Sequence, residues 1–225
     1  MLSHDWIAHE LGHLEPWLDA QGFAISRVYR EDGLDLPAAD LLVVMGSPTS
    51  VATGYRQPAA DREVAMVAEW VSRDRPYLGV CFGAQVLACA MGGSVRRLPE
   101  TIRGYLSIEA GRPGPAREAG PWVLWHEDAI TGPADATVSG RLPHADLVFR
   151  RGRACGIQPH VEVTPDTLRR MARALGAQPS AYEPLASALA ADDAAPERVR
   201  ALLDSVLEAS LGEPGDQVID GHRPG

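Results

Sequence analysis

Unbroken apolar runs and alternating segments succeed one another along this chain. Asp40-Leu-Leu-Val-Val-Met45 and Tyr77-Leu-Gly-Val80 have no polar side, as strands of a parallel sheet buried on both faces require. Gly22 to Tyr29 alternates and predicts a half-buried strand, while residues 1–5 give only a fragment of one. Ile7 to Leu18 carries apolar residues at helical spacing, and Pro58 to Val71 reads as a helix with proline in its first turn. Ser94-Val-Arg96, Gly104 to Ile108 and Trp122 to Trp125 read as strands, with a Pro/Gly-rich link from Gly111 to Gly120. Ala136 to Val138, Asp146 to Arg150 and Ala154 to Gln158 follow as short strands. Thr164-Pro165 then caps a helical region that continues with interruptions to Leu211, and residues 212–225 read as a mobile polar tail. Strands and helices interleaved in this way predict an α/β class.

The 225 residues suit one sizeable core, so residues 1–211 are expected to form a single domain. No stretch has the apolar length of a membrane span, and the N-terminal sequence lacks the pattern of a secretory signal. Cys81, Cys89 and Cys155 form no CxxC pair, so neither a disulfide framework nor a dithiol site is indicated and a cytoplasmic location is expected. A net charge of −9, spread rather than blocked, offers polyanions little attraction. Nucleic acid and membranes are therefore not expected partners.

Chemistry concentrates in Gly79-Val-Cys-Phe-Gly83, where an apolar strand meets a helix rich in Ala, Leu and Gln. A tight strand-to-helix turn crowds its central residue, and glycines stand two positions before and after Cys81. Such a turn pushes the sulfur outward at a helix N-terminus, where the helix dipole favours a thiolate nucleophile; the alternative is a buried structural cysteine beside packing glycines. Gly46-Ser47-Pro48 ends the first apolar run, either exposing backbone N–H groups to a ligand or serving as a connecting turn. In Pro159-His160-Val161-Glu162, an extended backbone puts His160 and Glu162 on one side, as a base and its orienting acid or as an exposed polar turn. His9-Glu-Leu-Gly-His13 spells the HExxH zinc pattern. Pro16 interrupts the helix beyond it, so the reading favoured is a solvated first helix holding no metal.

Four blocks stand in one order: MGSPTSV at 45–51, GVCFGAQ at 79–85, WHED at 125–128 and GIQPHVE at 156–162. Together they resemble the class I glutamine amidotransferase domain, in the stand-alone form similar to the amidotransferase half of GMP synthase. The resemblance implies a flavodoxin-like, three-layer fold: a mostly parallel sheet with helices on both faces and the site at the carboxyl ends of its strands. It implies a triad of Cys81, His160 and Glu162, and an oxyanion hole made by the Ser47 and Phe82 amides. Gly46, Gln85 and His126 would lie beside the substrate, and no cofactor is implied. Two features depart from the family pattern. Ser47 replaces the second glycine of the oxyanion loop, and PHVE replaces FHPE, moving the proline from after the histidine to before it.

The implied reaction is attack of Cys81 on glutamine or another γ-glutamyl amide, giving a thioester that water resolves. No synthetase is fused to these residues, so an acceptor of ammonia would be a separate subunit. Hydrolysis of a γ-glutamyl amide of a small specialised metabolite needs the same residues. A non-catalytic binding or scaffold subunit is the third reading.

Overall fold

A computed structural model describes residues 1–53, 57–110 and 120–211. The link at 111–119 and the tail at 212–225 lie outside the described residues. The main sheet contains β1 (Leu2–Ser3), β2 (Val28–Tyr29), β3 (Leu42–Val44), β4 (Tyr77–Val80), β6 (Glu109–Ala110), β8 (Thr137–Leu142), β9 (Ala145–Arg151) and β10 (Ala154–Ile157), in the order β2-β1-β3-β4-β10-β9-β8-β6. The pairings from β2 across to β10 are parallel, and those from β10 to β6 are antiparallel. Four parallel junctions against three antiparallel make the sheet mostly parallel. A second ribbon pairs β5 (Ser94–Leu106) with β7 (Trp122–Thr131) antiparallel.

The apolar runs work as two-sided strands. Leu42, Val44 and Tyr77 join one core with helices α2 (Gln57–Ser72) and α3 (Phe82–Ala90) through Val67, Trp70, Val86 and Leu87. Val43, Leu78 and Ile157 point the other way, against α1 (Leu14–Ala20) and α6 (Ala195–Leu211) through Trp17, Leu18, Leu202 and Leu203. Successive side chains on opposite faces thus feed two cores, giving helix, sheet and helix layers. Helices α4 (Pro165–Ala174) and α5 (Pro179–Ala190) form a smaller cluster with Val123 and Val163. Thr164 caps α4 as expected, its hydroxyl accepting from the Thr167 amide at 3.2 Å.

Three expectations are corrected. The strand predicted over Gly22–Tyr29 is reduced to β2, because its neighbour β1 offers only Leu2 and Ser3 for pairing. The helix predicted over Ile7–Leu18 begins only at Leu14, with Pro16 inside its first turn, where the missing amide hydrogen costs little. The separate strands predicted at Ser94–Arg96 and Gly104–Ile108 are the two ends of β5, whose register shifts between Arg97 and Ile102.

Candidate active site

The loops at the carboxyl ends of β1, β3, β4 and β10 converge on one cavity of about 340 Å3, lined by Gly46, Ser47, Cys81, Gln85, His126 and His160 among others. Cys81 stands between β4 and α3 with φ +51° and ψ −106°. A non-glycine residue in this region is strained, at a cost of about 1–3 kcal/mol, and persists only where the surroundings impose it. Here they do. The Cys81 amide donates to the Ile157 carbonyl at 2.8 Å, and the Cys81 carbonyl accepts from the Ala84 amide at 3.0 Å.

The flanking glycines are sterically required. A Cβ on Gly79 would stand 2.4 Å from the Gly83 carbonyl oxygen, and one on Gly83 would stand 2.1 Å from that of Val44. These neighbours are backbone and cannot rotate away. Gly83→Ala should therefore destabilise the protein by roughly 3 kcal/mol or more, as overpacking does at its upper range. A melt should show this as a fall of about 6–12 °C. An unchanged melting temperature would mean that the elbow has room the geometry denies.

His160 and Glu162 meet as the sequence pattern requires. His160 Nδ1 lies 2.7 Å from Glu162 Oε1, and both side chains are buried. Burial alone would push the His160 pKa down. Charge on Cys81 and Glu162, with hydrogen bonds to both, overcomes it and raises the pKa well above the usual histidine value. The His160 amide donates to the Val123 carbonyl at 2.8 Å, tying this segment to β7. The Val161 amide makes only a local bond to the Pro159 carbonyl, at 3.1 Å. The PHVE order thus leaves the His160–Glu162 hydrogen bond intact.

His9-Glu-Leu-Gly-His13 forms a loop, not a solvated helix face. Gly12, at φ +48°, packs so closely that a Cβ would lie 2.0 Å from the Glu162 carbonyl oxygen. The His13 amide donates to that same oxygen at 2.8 Å. Glu10 is held by Arg170 at 2.7 Å. The stretch is a seat for the Glu162 backbone. Among the described residues no group of His, Cys, Asp and Glu side chains has the arrangement of a metal site.

Gly46 faces the cysteine and histidine directly: a Cβ there would lie 3.4 Å from His160 Cε1 and 3.8 Å from Cys81 Cβ. The turn it opens is held from behind by residues that the sequence pattern did not single out. Arg30 donates to the Met45 and Gly46 carbonyls at 3.0 and 3.3 Å. It also forms a bidentate pair with buried Glu63 at 2.8 and 2.9 Å. His4 reaches Ser47 Oγ at 2.8 Å, and that oxygen accepts from the Thr49 amide at 3.0 Å. Phe82, first residue of α3, has an amide with no helical carbonyl to serve.

The opposite wall comes from β7. His126 lies inside this strand rather than at its exit, paired with Ile102 beside the shifted register. Its Nδ1–H donates to the Asp128 carbonyl at 2.8 Å. Burial pushes its pKa down to about 4, with charge on His144 and His160 adding to the effect. His126 is thus neutral at physiological pH. The Asp128 carboxylate accepts from Ser50 Oγ at 2.7 Å and stands 3.6 Å from the Arg97 guanidinium. Gln158 Nε2 points at Cys81 Sγ from 3.8 Å, another contact the sequence did not mark.

The sequence profile of the family described as glutamine amidotransferase class-I matches residues 6–171. The chain belongs to that family. The glutamine amidotransferase-like protein YfeJ of Salmonella typhimurium is 30% identical over 168 residues, covering 68% of this chain and 70% of its own. The glutamine-hydrolysing GMP synthase of Aeropyrum pernix is 33% identical over 138 residues, 58% of this chain. The match spans only 26% of that relative's length. A solved glutamine amidotransferase from Thermotoga maritima superposes with a TM-score of 0.76 at 22% identity, covering 94% of this chain and 97% of its own. One from Methylobacillus flagellatus gives 0.72 at 20%, covering 91% and 93%. These likenesses establish the flavodoxin-like amidotransferase fold, and membership in the family supports glutamine hydrolysis in general terms.

Proposed function

We propose that this chain hydrolyses the side-chain amide of glutamine, or of a closely related γ-glutamyl amide, through a thioester on Cys81. The observation that carries the reading is the strained elbow that sets Cys81 against the buried His160–Glu162 pair at a shared cavity. The Cys81 thiolate attacks the amide carbon, and the resulting oxyanion is held by the Ser47 and Phe82 amides. Glu162 holds His160 Nδ1, leaving Nε2–H to protonate the departing nitrogen. The C–N bond breaks, ammonia leaves, and a thioester remains. Water then gives a proton to His160 Nε2 and adds to the thioester carbon. Breaking the C–S bond releases glutamate and restores the thiolate.

Gly46 keeps the approach to Cys81 clear, while Gln85 and His126 shape the cavity around the bound amino acid. Both signs of charge line it, Arg97 and Arg103 with Glu127 and Asp128, which suits the zwitterionic end of a free amino acid. Residues 1–211 form one amidotransferase domain in this proposal, and the GMP synthase relatives point to a separate ammonia-accepting synthetase as partner. Among the described residues no helix is long and apolar enough to cross a membrane, in keeping with a cytoplasmic enzyme.

The test is glutamate or amine release from glutamine, γ-glutamylmethylamide and 4-aminobutanamide, the last being glutamine without its α-carboxylate. Glutamine should be hydrolysed, and 4-aminobutanamide should have a kcat/KM at least about tenfold lower, the worth of one lost charge-assisted hydrogen bond. Preference for γ-glutamylmethylamide over glutamine would move the assignment to a γ-glutamyl amide hydrolase. Silence toward all three amides would make the protein a scaffold homologue.

A further inference from the structure

The turn at Gly46-Ser47 carries, on Ser47, one of the two amides assigned to the oxyanion. That serine is engaged on its far side. Ser47 Oγ lies 2.8 Å from His4 Nε2, and His4 Nδ1 lies 2.6 Å from Glu31 Oε1. His4 is 3% exposed, at the end of β1. Glu31, just beyond β2, also accepts from the Asp5 amide at 3.3 Å. Burial lowers the His4 pKa, with Arg30 adding to the effect against the pull of Glu31. The neutral ring has one donor and one acceptor. Its Nδ1–H donates to Glu31, so Nε2 accepts the Ser47 hydroxyl hydrogen. The remaining Ser47 lone pairs face the Thr49 amide, 3.0 Å away. The donor and acceptor roles along Glu31, His4, Ser47 and Thr49 thus run in one direction, and the chain ends on the turn itself.

We propose that His4 is a positioning residue of the oxyanion turn, holding Ser47 Oγ with Glu31 behind it so that the Ser47 amide stays aimed at the developing oxyanion. A glycine here would offer His4 and the Thr49 amide nothing to hold, whereas Ser47 Oγ anchors the turn beside its amide. Arg30 bonds the Met45 carbonyl and the Gly46 carbonyl, which shares a peptide plane with the Ser47 amide, and the His4 clamp anchors the far end of that plane through the Ser47 side chain. The proposal rests on the amidotransferase reading above, because only a developing oxyanion needs that amide in place.

The experiment is a double-mutant cycle of His4→Ala and Ser47→Gly, with His4→Gln as the conservative variant. Each protein is assayed for glutamine hydrolysis and for the rate at which iodoacetamide alkylates Cys81, a reaction that uses the thiolate but no oxyanion hole. His4→Ala should lower kcat about ten- to a hundredfold, the range expected when a reacting geometry is displaced by up to 1 Å. KM and the alkylation rate should stay within about threefold of the native values. His4→Gln, which keeps a polar group facing Ser47 Oγ, should recover part of the loss. In the Ser47→Gly background, with no hydroxyl to hold, His4→Ala should cost less than about threefold more.

Unchanged kcat in His4→Ala, a parallel fall in alkylation and hydrolysis, or the same loss in both backgrounds would overturn the clamp while leaving the amidotransferase reading standing. A native protein that is alkylated at Cys81 yet inert toward every γ-glutamyl amide would overturn both.

Discussion

Cys81→Ala is expected to abolish glutamate release, by on the order of 10^5-fold or to the detection limit, as removal of a covalent nucleophile does in enzymes of this mechanistic type. Three cysteines compete for that role, and their surroundings separate them. Cys89 lies toward the end of α3, and burial pushes its thiol pKa up, away from the reactive anion. Cys155 is buried within β10. Cys81 alone lines the cavity with His160. A glutamine-like chloroketone should therefore label one cysteine in the native protein and none in Cys81→Ala. Melting temperature should change little, because the substitution removes one sulfur from a residue whose strained φ an alanine must adopt equally. Labelling that survives in Cys81→Ala, or activity that persists there, would remove the nucleophile from the mechanism.

The elbow could be read from the sequence because its chemistry is local. Gly79, Cys81 and Gly83 are neighbours in the chain, and the clash that forbids a Cβ at Gly79 involves Gly83 itself. The His160–Glu162 pair was legible for the same reason, since an i, i+2 spacing in extended backbone fixes its geometry. The contacts behind the Gly46-Ser47 turn were not. His4 meets Ser47 across 43 residues and Arg30 meets Glu63 across 33, and nothing at either end of such a pair marks its partner. The continuity of strand β5 between its two predicted ends was hidden differently. Arg96, Arg97, Glu100 and Arg103 interrupt its apolar pattern, and it is a strand because β7 pairs with it. HELGH misled because a motif written in letters assumes the helix that gives it meaning, whereas here the backbone of Gly12 and His13 is occupied with Glu162.

Glu162→Gln should lower kcat/KM for glutamine by about 10^2- to 10^4-fold, the range seen when the orienting acid of a triad loses its charge. The pH profile should also change, which separates orientation from mere packing. In the native protein the charges of Cys81 and Glu162 raise the His160 pKa well above its usual value against the effect of burial. In the proposed mechanism His160 protonates the departing nitrogen, so activity should fall on the alkaline side as its proton is lost. Removing the Glu162 charge withdraws one of the two supports, so the alkaline limb of kcat/KM should shift toward neutral pH. The same linkage acts on stability. A histidine whose folded pKa exceeds its unfolded value of about 6.5 contributes stability that is complete below that pH. The contribution is lost as pH rises through the folded pKa. Melts from pH 6 upward should therefore show the gap between native protein and Glu162→Gln narrowing toward alkaline pH. Activity within about threefold of native, or an alkaline limb that stays in place while only the melting temperature drops, would reduce Glu162 to a packing residue and leave His160 without its orienting acid.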